Sequence, residues 1–197
     1  AVLEGNFQAQ EEASRTIGAL SLLSLAMIFA ILYSRFKSAV YALIILGSVP
    51  LALIGAVAAL WLVGQPLSVA SMVGFITLTG IAARNGILKV AHYINLHLQE
   101  GVPFGRELVI RGSLERLTPV LMTALSAGVA LVPLLIGADA PGKEILHPVA
   151  VTIFGGLISA TLLDAVITPI LFLLFGRKSL ERLAASREAG LSPAEAF

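Results

Sequence analysis

The stretch SVASMVGFITLTGIAAR, residues 68–84, decides the fold. Its first sixteen residues are uncharged, it ends at Arg84, and the next charged residue is Lys89. A helix of about 20 apolar residues crosses the hydrocarbon core of a bilayer. A charge within such a helix costs roughly 2.5–3.5 kcal/mol on insertion scales, so it normally faces the interior of a bundle and has a partner or a task. Arg84 is therefore the first candidate functional residue.

Charge is segregated in the same way along the whole chain. Of its 197 residues 57% are hydrophobic and 13% are charged, against about a quarter charged in a typical soluble domain. The pattern predicts an all-α membrane fold, a bundle of five transmembrane helices. Their expected bounds, separated by loops and with a break at Gly64-Gln65-Pro66 in the longest uncharged stretch, are about 17–35, 39–63, 68–98, 114–137 and 147–175.

The loops predict the orientation of these spans. Nine lysine and arginine residues lie on one side and two, Arg15 and Lys143, on the other. Because the side richer in lysine and arginine faces the cytoplasm, we expect the C-terminal tail, residues 176–197, to be cytoplasmic. Residues 1–16 and the loop between the last two spans then lie outside.

Several function classes lack support. A net charge of +1, with its basic residues dispersed between apolar runs, does not indicate a nucleic-acid partner, and without cysteine there are no disulfides or thiolate metal sites. The loop GADAPGK, residues 137–143, has the glycine and lysine spacing of a phosphate-binding loop, but Glu144 follows where Ser or Thr would hold magnesium. No nucleophile with a nearby base lies in the spans, and we expect no enzyme and no cofactor. A metal site at Asp139, Glu144 and His147 is less economical than helix capping and solvation.

Two charges are predicted at one depth. Arg84 lies 16 residues after Ser68, and Asp164 lies 16 residues after Pro148, near the outer ends of their spans. At about 1.5 Å per residue both are ~24 Å from that end. This favours an ion pair between Arg84 and Asp164, either purely structural or as two members of one relay.

The fourth span runs the other way and adds a hydroxyl at this level. Thr123 is seven residues, or two turns, beyond Arg116 and shares its face. A polar patch of Arg84, Thr123 and Asp164 is therefore expected, with Arg116 either an anchor at the surface or a functional group. We expect Lys89, near the inner interface, to extend toward lipid headgroups.

Helix contacts and breaks are also predictable. Small residues four apart, as in Gly55/Ala59 and Gly156/Ala160, permit close approach of helices in lipid. Pro103 suits the start of a short helix over residues 104–111, and Gly112-Ser113 offers a break before the fourth span.

The segments GIAARNGIL (80–88) and RGSLERLTPVLMTAL (111–125) resemble the resistance–nodulation–division (RND) superfamily. The segments EGNFQ (4–8), GKEILHPVAV (142–151) and GGLISATLL (155–163) are most similar to its heavy-metal efflux branch. The resemblance covers nearly the whole chain and includes several motifs in order.

The resemblance implies that the chain is the second-half portion of a twelve-helix RND transporter, a piece of a longer polypeptide. Residues 1–16 would end a periplasmic insertion. The pump would be a homotrimer in the bacterial inner membrane, would work with a periplasmic adaptor and an outer-membrane channel, and would import protons to drive export. Arg84, Arg116 and Thr123 match the family's basic and hydroxyl relay positions, and Asp164 is an added proton site or the partner of Arg84.

The leading expectation is thus a proton-driven exporter of heavy-metal cations, with protons as the coupling ion. An RND exporter of drugs or other organic compounds is the alternative within the same fold. A truncated fragment or scaffold that packs in the bilayer without transporting is the alternative of another class.

Overall fold

A computed structural model describes residues 2–136 and 143–188, with side chains from residue 11 onward and up to residue 185. Every regular element in these ranges is an α-helix, which confirms the expected all-α membrane class. The six helices are α1 (Val2–Phe36), α2 (Ala39–Leu46), α3 (Ser48–Val63), α4 (Val69–Glu100), α5 (Arg106–Leu135) and α6 (Lys143–Glu188).

Five segments of the described chain are long and apolar enough to cross a membrane, one each in α1, α4, α5 and α6 and one in α2 and α3 together. Gly47 interrupts the last of these only for a single residue, and its backbone N–H still bonds to Leu43 O at 2.9 Å. The chain runs up and down between two ends. We call the end that carries Arg35, Lys37 and Arg177 the basic end and the opposite one the Lys143 end.

Local sequence explains where the helices begin and end. Ser68 caps α4 by accepting a hydrogen bond from Ser71 N–H, while the Ser71 hydroxyl accepts one from Ser68 N–H, so two otherwise unpaired donors are satisfied. Gly64 ends α3 and Gly101 ends α4, both with left-handed φ values near +70°, which cost glycine little.

One predicted helix break is wrong. No break occurs at Gly112-Ser113: α5 begins at Arg106 and continues through both residues. Gly112 lies against the Tyr93 ring of α4, where a Cβ would be crowded, so this glycine serves close packing rather than a turn. At the other end of the chain, α6 continues without interruption past the expected span to Glu188.

The core lies around α6, which packs against α2, α3, α4 and α5. The small residues predicted to allow close approach do so: a Cβ on Gly55 would collide with Ser159 and with the Gly155 carbonyl oxygen. Ala52 and Ala56 are fully buried beside this contact. By contrast α1 and α5 expose most of their apolar side chains across the membrane stretch. The bundle therefore has one closed interior and wide open faces.

Candidate functional site: a buried charged cluster and two cavities

A closed charged cluster joins α4 to α6. Lys89 Nζ donates to Asp164 Oδ2 at 2.6 Å and to the Asp164 backbone carbonyl oxygen at 2.9 Å. The Thr168 hydroxyl donates to the other carboxylate oxygen, Asp164 Oδ1. The Lys89 and Asp164 side chains are only 6% and 5% exposed. Both oxygens of the carboxylate thus face donors in a site that is nearly closed to solvent.

The register of α4 and α6 shows why Lys89 is the partner of Asp164. Gly74 lies against Thr152, and Leu78 lies against Gly156, so each pair is 78 positions apart and the two helices are parallel. Asp164 is therefore level with position 86. Lys89 is three residues, less than one turn, further along α4 than that level, and side chains on a helix lean toward its N-terminus. The long Lys89 side chain therefore rises to the carboxylate.

The predicted contact between Arg84 and Asp164 is wrong. Its depth was nearly correct, because Arg84 is only two positions, about 3 Å, from the level of Asp164. The predicted direction of the Arg84 side chain was wrong, because at 100° per residue Arg84 points about 140° away from Lys89 around the helix axis. Arg84 is exposed, and no described contact links it to Asp164.

Lys89 is the functional candidate that sequence reasoning assigned wrongly. It does not extend toward the headgroups but is buried and paired. A helical-face count would have found it, since Leu78, Ala82 and Lys89 follow one stripe of α4 that Leu78 and Ala82 mark as apolar. Thr168 was detectable in the same way, because it is one turn after Asp164 on α6.

Arg116 lines a small cavity beside the cluster, whose wall contains both polar and apolar side chains. This cavity has a volume of about 170 Å³, and its lining includes Lys89, Ser113 and Thr161. Arg116 is half-buried, and its Nε is buried without a hydrogen-bond partner among the described residues. Lys89 lines this cavity and Asp164 does not, so Lys89 connects the cavity to the carboxylate with which it is paired.

Arg84 and Thr123 share a second cavity on the other side of α4. It has a volume of about 390 Å³, and Asn85 and Ser126 add further polar groups to its wall. Both predicted residues are exposed there. The Thr123 hydroxyl donates to the Val120 carbonyl oxygen at 2.9 Å. The structure thus brings Arg84 and Thr123 to one cavity and places Asp164, with Arg116 nearby, at another site.

At the Lys143 end of the bundle, Lys143 and His147 of α6 bind to the end of α5. Lys143 Nζ donates to the carbonyl oxygens of Pro133 and Ile136 at 3.0 and 3.2 Å, and His147 Nδ1 pairs with Leu134 O at 3.1 Å. These carbonyls lie at the C-terminal end of α5, which favours a cation. No group of three metal-ligating side chains occurs among the described residues. Asp139 and the phosphate-loop spacing of residues 137–142 lie outside those residues.

Comparison with known proteins decides the family. Residues 2–176 match the AcrB/AcrD/AcrF family. The chain belongs to this family. The resemblance to the RND superfamily and its heavy-metal efflux branch is thereby confirmed, since the family match is joined by relatives named for metal resistance.

Two relatives and one solved structure illustrate the similarity. The cobalt-zinc-cadmium resistance protein CzcA of Cupriavidus metallidurans is 34% identical over 174 residues, which cover 88% of this chain and 16% of CzcA. The nickel and cobalt resistance protein CnrA of the same organism is 39% identical over 167 residues, which cover 85% of this chain and 15% of CnrA. A crystal structure of a heavy metal efflux pump has a TM-score of 0.77 at 37% identity, covering 87% of this chain and 17% of the pump. The chain thus spans about one sixth of the length of these relatives.

Proposed function

We propose that this chain is a membrane portion of a proton-driven exporter of heavy-metal cations, a secondary active transporter rather than an enzyme. The observation that carries the proposal is the titratable pair Lys89–Asp164, 6% and 5% exposed inside a largely apolar bundle. Ionisable groups at such positions are rare and characteristic of ion and proton pathways. Family membership and the names of CzcA and CnrA support metal cations as the cargo.

The proposed proton relay includes Arg84, Arg116, Thr123 and Asp164, which act in different ways. Arginine does not deprotonate in proteins, so Arg84 and Arg116 are fixed positive charges that favour the ionised form of a nearby acid. The Thr123 hydroxyl both donates and accepts, and can exchange its bond to Val120 O for one to an acid or water. Asp164 carries the proton.

The exposed position of Arg84 supports a partner outside the described helices. Arg84 and Thr123 open on a cavity rather than on the closed core. A charge exposed within a membrane span is costly unless protein or water covers it. We propose that the rest of the same polypeptide covers this face and supplies the acids of the relay.

The proposed assembly follows the family resemblance and the distribution of charge. We place a homotrimer in the bacterial inner membrane, in contact with lipid and with the C-terminus in the cytoplasm, working with a periplasmic adaptor and an outer-membrane channel. The nine-to-two asymmetry of basic residues supports this orientation.

A resistance assay tests the cargo. The complete transporter is expressed in a host that lacks its own RND pumps, and growth is measured against salts of zinc, cobalt, nickel and cadmium and against drugs and bile salts. Metal resistance that is lost in Arg84→Ala and retained in Arg15→Ala is the expected result. The control removes an arginine that is also exposed on a helix, α1. Resistance to organic compounds alone would favour the alternative substrate class, and no resistance in an assembled protein would favour a scaffold.

Proton coupling is tested separately in proteoliposomes that contain a pH-sensitive dye. Addition of metal salt is expected to produce proton movement in the wild-type protein and none in Arg84→Ala. Metal transport without proton movement would contradict the proposed coupling.

A further inference from the structure

We infer that Lys89, Asp164 and Thr168 form a proton-binding site that holds α4 against α6 while the carboxylate is ionised and releases the contact when Asp164 takes up a proton. This inference deepens the role of Asp164 in the proposed function. It differs from the relay of Arg84 and Thr123 because it involves other residues, another face of α4 and another cavity.

The hydrogen-bond geometry is specific for the ionised carboxylate. Lys89 donates to Oδ2 and Thr168 donates to Oδ1, so each oxygen accepts from a side-chain donor. A proton on either oxygen changes that oxygen from an acceptor into a donor, which then opposes an ammonium or a hydroxyl hydrogen. One of the two bonds must therefore rearrange when the site is protonated.

The charges around the site amplify this change. With the carboxylate ionised, Lys89, Asp164 and Arg116 carry a net charge of +1, and protonation of Asp164 raises it to +2 in a largely buried space. A buried charge that loses its partner is strongly destabilised. Lys89 would lose its counterion while Arg116 lines the same cavity, so the lost attraction and the cost of a buried unpaired ammonium both favour release of Lys89 from Asp164.

No other described charge neutralises the pair. α2 contributes one titratable group, Tyr41, whose hydroxyl donates to Gly176 O, and α3 contributes none. On α4 the nearest further group is Tyr93, whose hydroxyl is bonded to Ser113 Oγ of α5 at 2.6 Å. In the described part of the chain α1 does not pack against α6. Arg116 is thus the further charge that shares a cavity with the pair, and its repulsion of Lys89 is no longer offset when Asp164 is protonated.

The cavity beside Lys89 provides the route for the proton. At about 170 Å³, with Ser113 and Thr161 in its wall, it is large enough and polar enough for water. Lys89 transfers one ammonium proton to Asp164 Oδ2, which leaves a neutral amine and a carboxylic acid. A hydronium ion in the cavity then protonates the amine and becomes water. The sum is one proton taken up by the site.

The first test is infrared difference spectroscopy of the purified complete transporter between neutral and acidic buffer. The expected signal is the carbonyl band of a protonated carboxylic acid, lost in Asp164→Asn. Thr168→Val keeps both charges and should shift that band, whereas Thr152→Val should not, because Thr152 is a buried α6 threonine that bonds to Pro148 O instead. Absence of an Asp164 band in the acidified wild type, or a Thr168→Val band identical to wild type, would overturn the inference.

The second test separates a proton site from a structural ion pair. Lys89→Met with Asp164→Asn removes both charges and nearly preserves side-chain volume, so assembly should match wild type. Loss of metal-driven proton movement in this assembled variant supports the proton site, and wild-type movement would show the pair to be structural. A wild-type protein without any metal-driven proton movement would refute the proposed function, and the infrared band would still decide whether Asp164 binds a proton.

Discussion

Arg84 and Lys89 are two cations five residues apart on one helix, and their environments are opposite. Lys89 is buried, with two hydrogen bonds to Asp164. Arg84 is exposed at the edge of an open cavity. Both lie within the same membrane span of α4. Their difference arises from the rotation of about 140° between them around the helix axis.

Lys89 and Arg84 represent two kinds of charge within a membrane span, one paired inside the described bundle and one exposed on its surface. The Lys89 face of α4 is complete within the described helices, because α6 supplies its counterion and Leu78 and Ala82 are buried along the same stripe. The Arg84 face is incomplete, since polar groups converge there around a cavity without an acidic partner in the described chain. We expect single substitutions on the closed face to lower stability, and substitutions on the open face to change transport without lowering stability.

The largest effect is expected from Asp164→Asn. It leaves the Lys89 ammonium buried without a counterion, which costs about 3–5 kcal/mol when one partner of a buried pair is removed. The free energy of unfolding in mixed detergent micelles measures this cost. Lys89→Met combined with Asp164→Asn should recover most of it, and additive losses from the two single variants would show that the residues are not coupled.

The next effect concerns the packing of the closed interior. Gly55→Ala introduces a Cβ into Ser159 and the Gly155 carbonyl oxygen, with backbone on one side, and should cost about 1–3 kcal/mol. Gly80→Ala is the matched control, because a Cβ there meets nothing within 4 Å. Equal apparent melting temperatures for the two variants would mean that α3 and α6 are not in close contact.

An effect of similar size is expected at one of two threonines, of which Thr168 lies on the closed face and Thr123 on the open face. Thr168→Val removes a donor to a buried carboxylate and should cost about 1.5–3 kcal/mol, the range for a hydrogen bond to a charged group, if the pocket does not rearrange. Thr123→Val removes an exposed hydroxyl that bonds to Val120 O in its own helix and should have little effect on unfolding. A larger loss of stability in Thr123→Val would reverse the assignment of closed and open faces.

The smallest effect on the stability of the described bundle is expected from Arg84→Ala, within about 0.5 kcal/mol, because Arg84 is exposed on these helices and surface substitutions rarely change more. Export should nevertheless be lost while assembly, measured by size-exclusion chromatography, is unchanged. A variant that fails to assemble would identify Arg84 as a structural charge, and one that exports normally would exclude it from the relay.

Much of the fold could be predicted from charge patterning because a bilayer allows few solutions. Five spans, their alternation and the close contact at Gly55 follow from apolar length and small-residue spacing. The missed features are finer. Gly112 resembled a helix break but lies in the interior of α5 against Tyr93, since a missing Cβ serves a close contact as well as a turn.

The candidate site was predictable only in part. Counting along the two helices predicts equal depth for Arg84 and Asp164, and the structure places Asp164 two positions from the level of Arg84. The partner of Asp164 depends on how each helix is rotated toward its neighbour, and this rotation is set by packing at Gly74, Thr152, Leu78 and Gly156.

The sequence by itself determined the membrane class, the five spans and the family, because hydrophobic length and ordered motifs are properties of the linear chain. Only the tertiary structure decided that Lys89 rather than Arg84 pairs with Asp164, that Thr168 completes the cluster and that Arg84 and Thr123 share a separate cavity. The physical reason is that an ion pair requires two side chains to meet within a few ångströms. That meeting depends on the register and rotation of packed helices, which no single segment specifies.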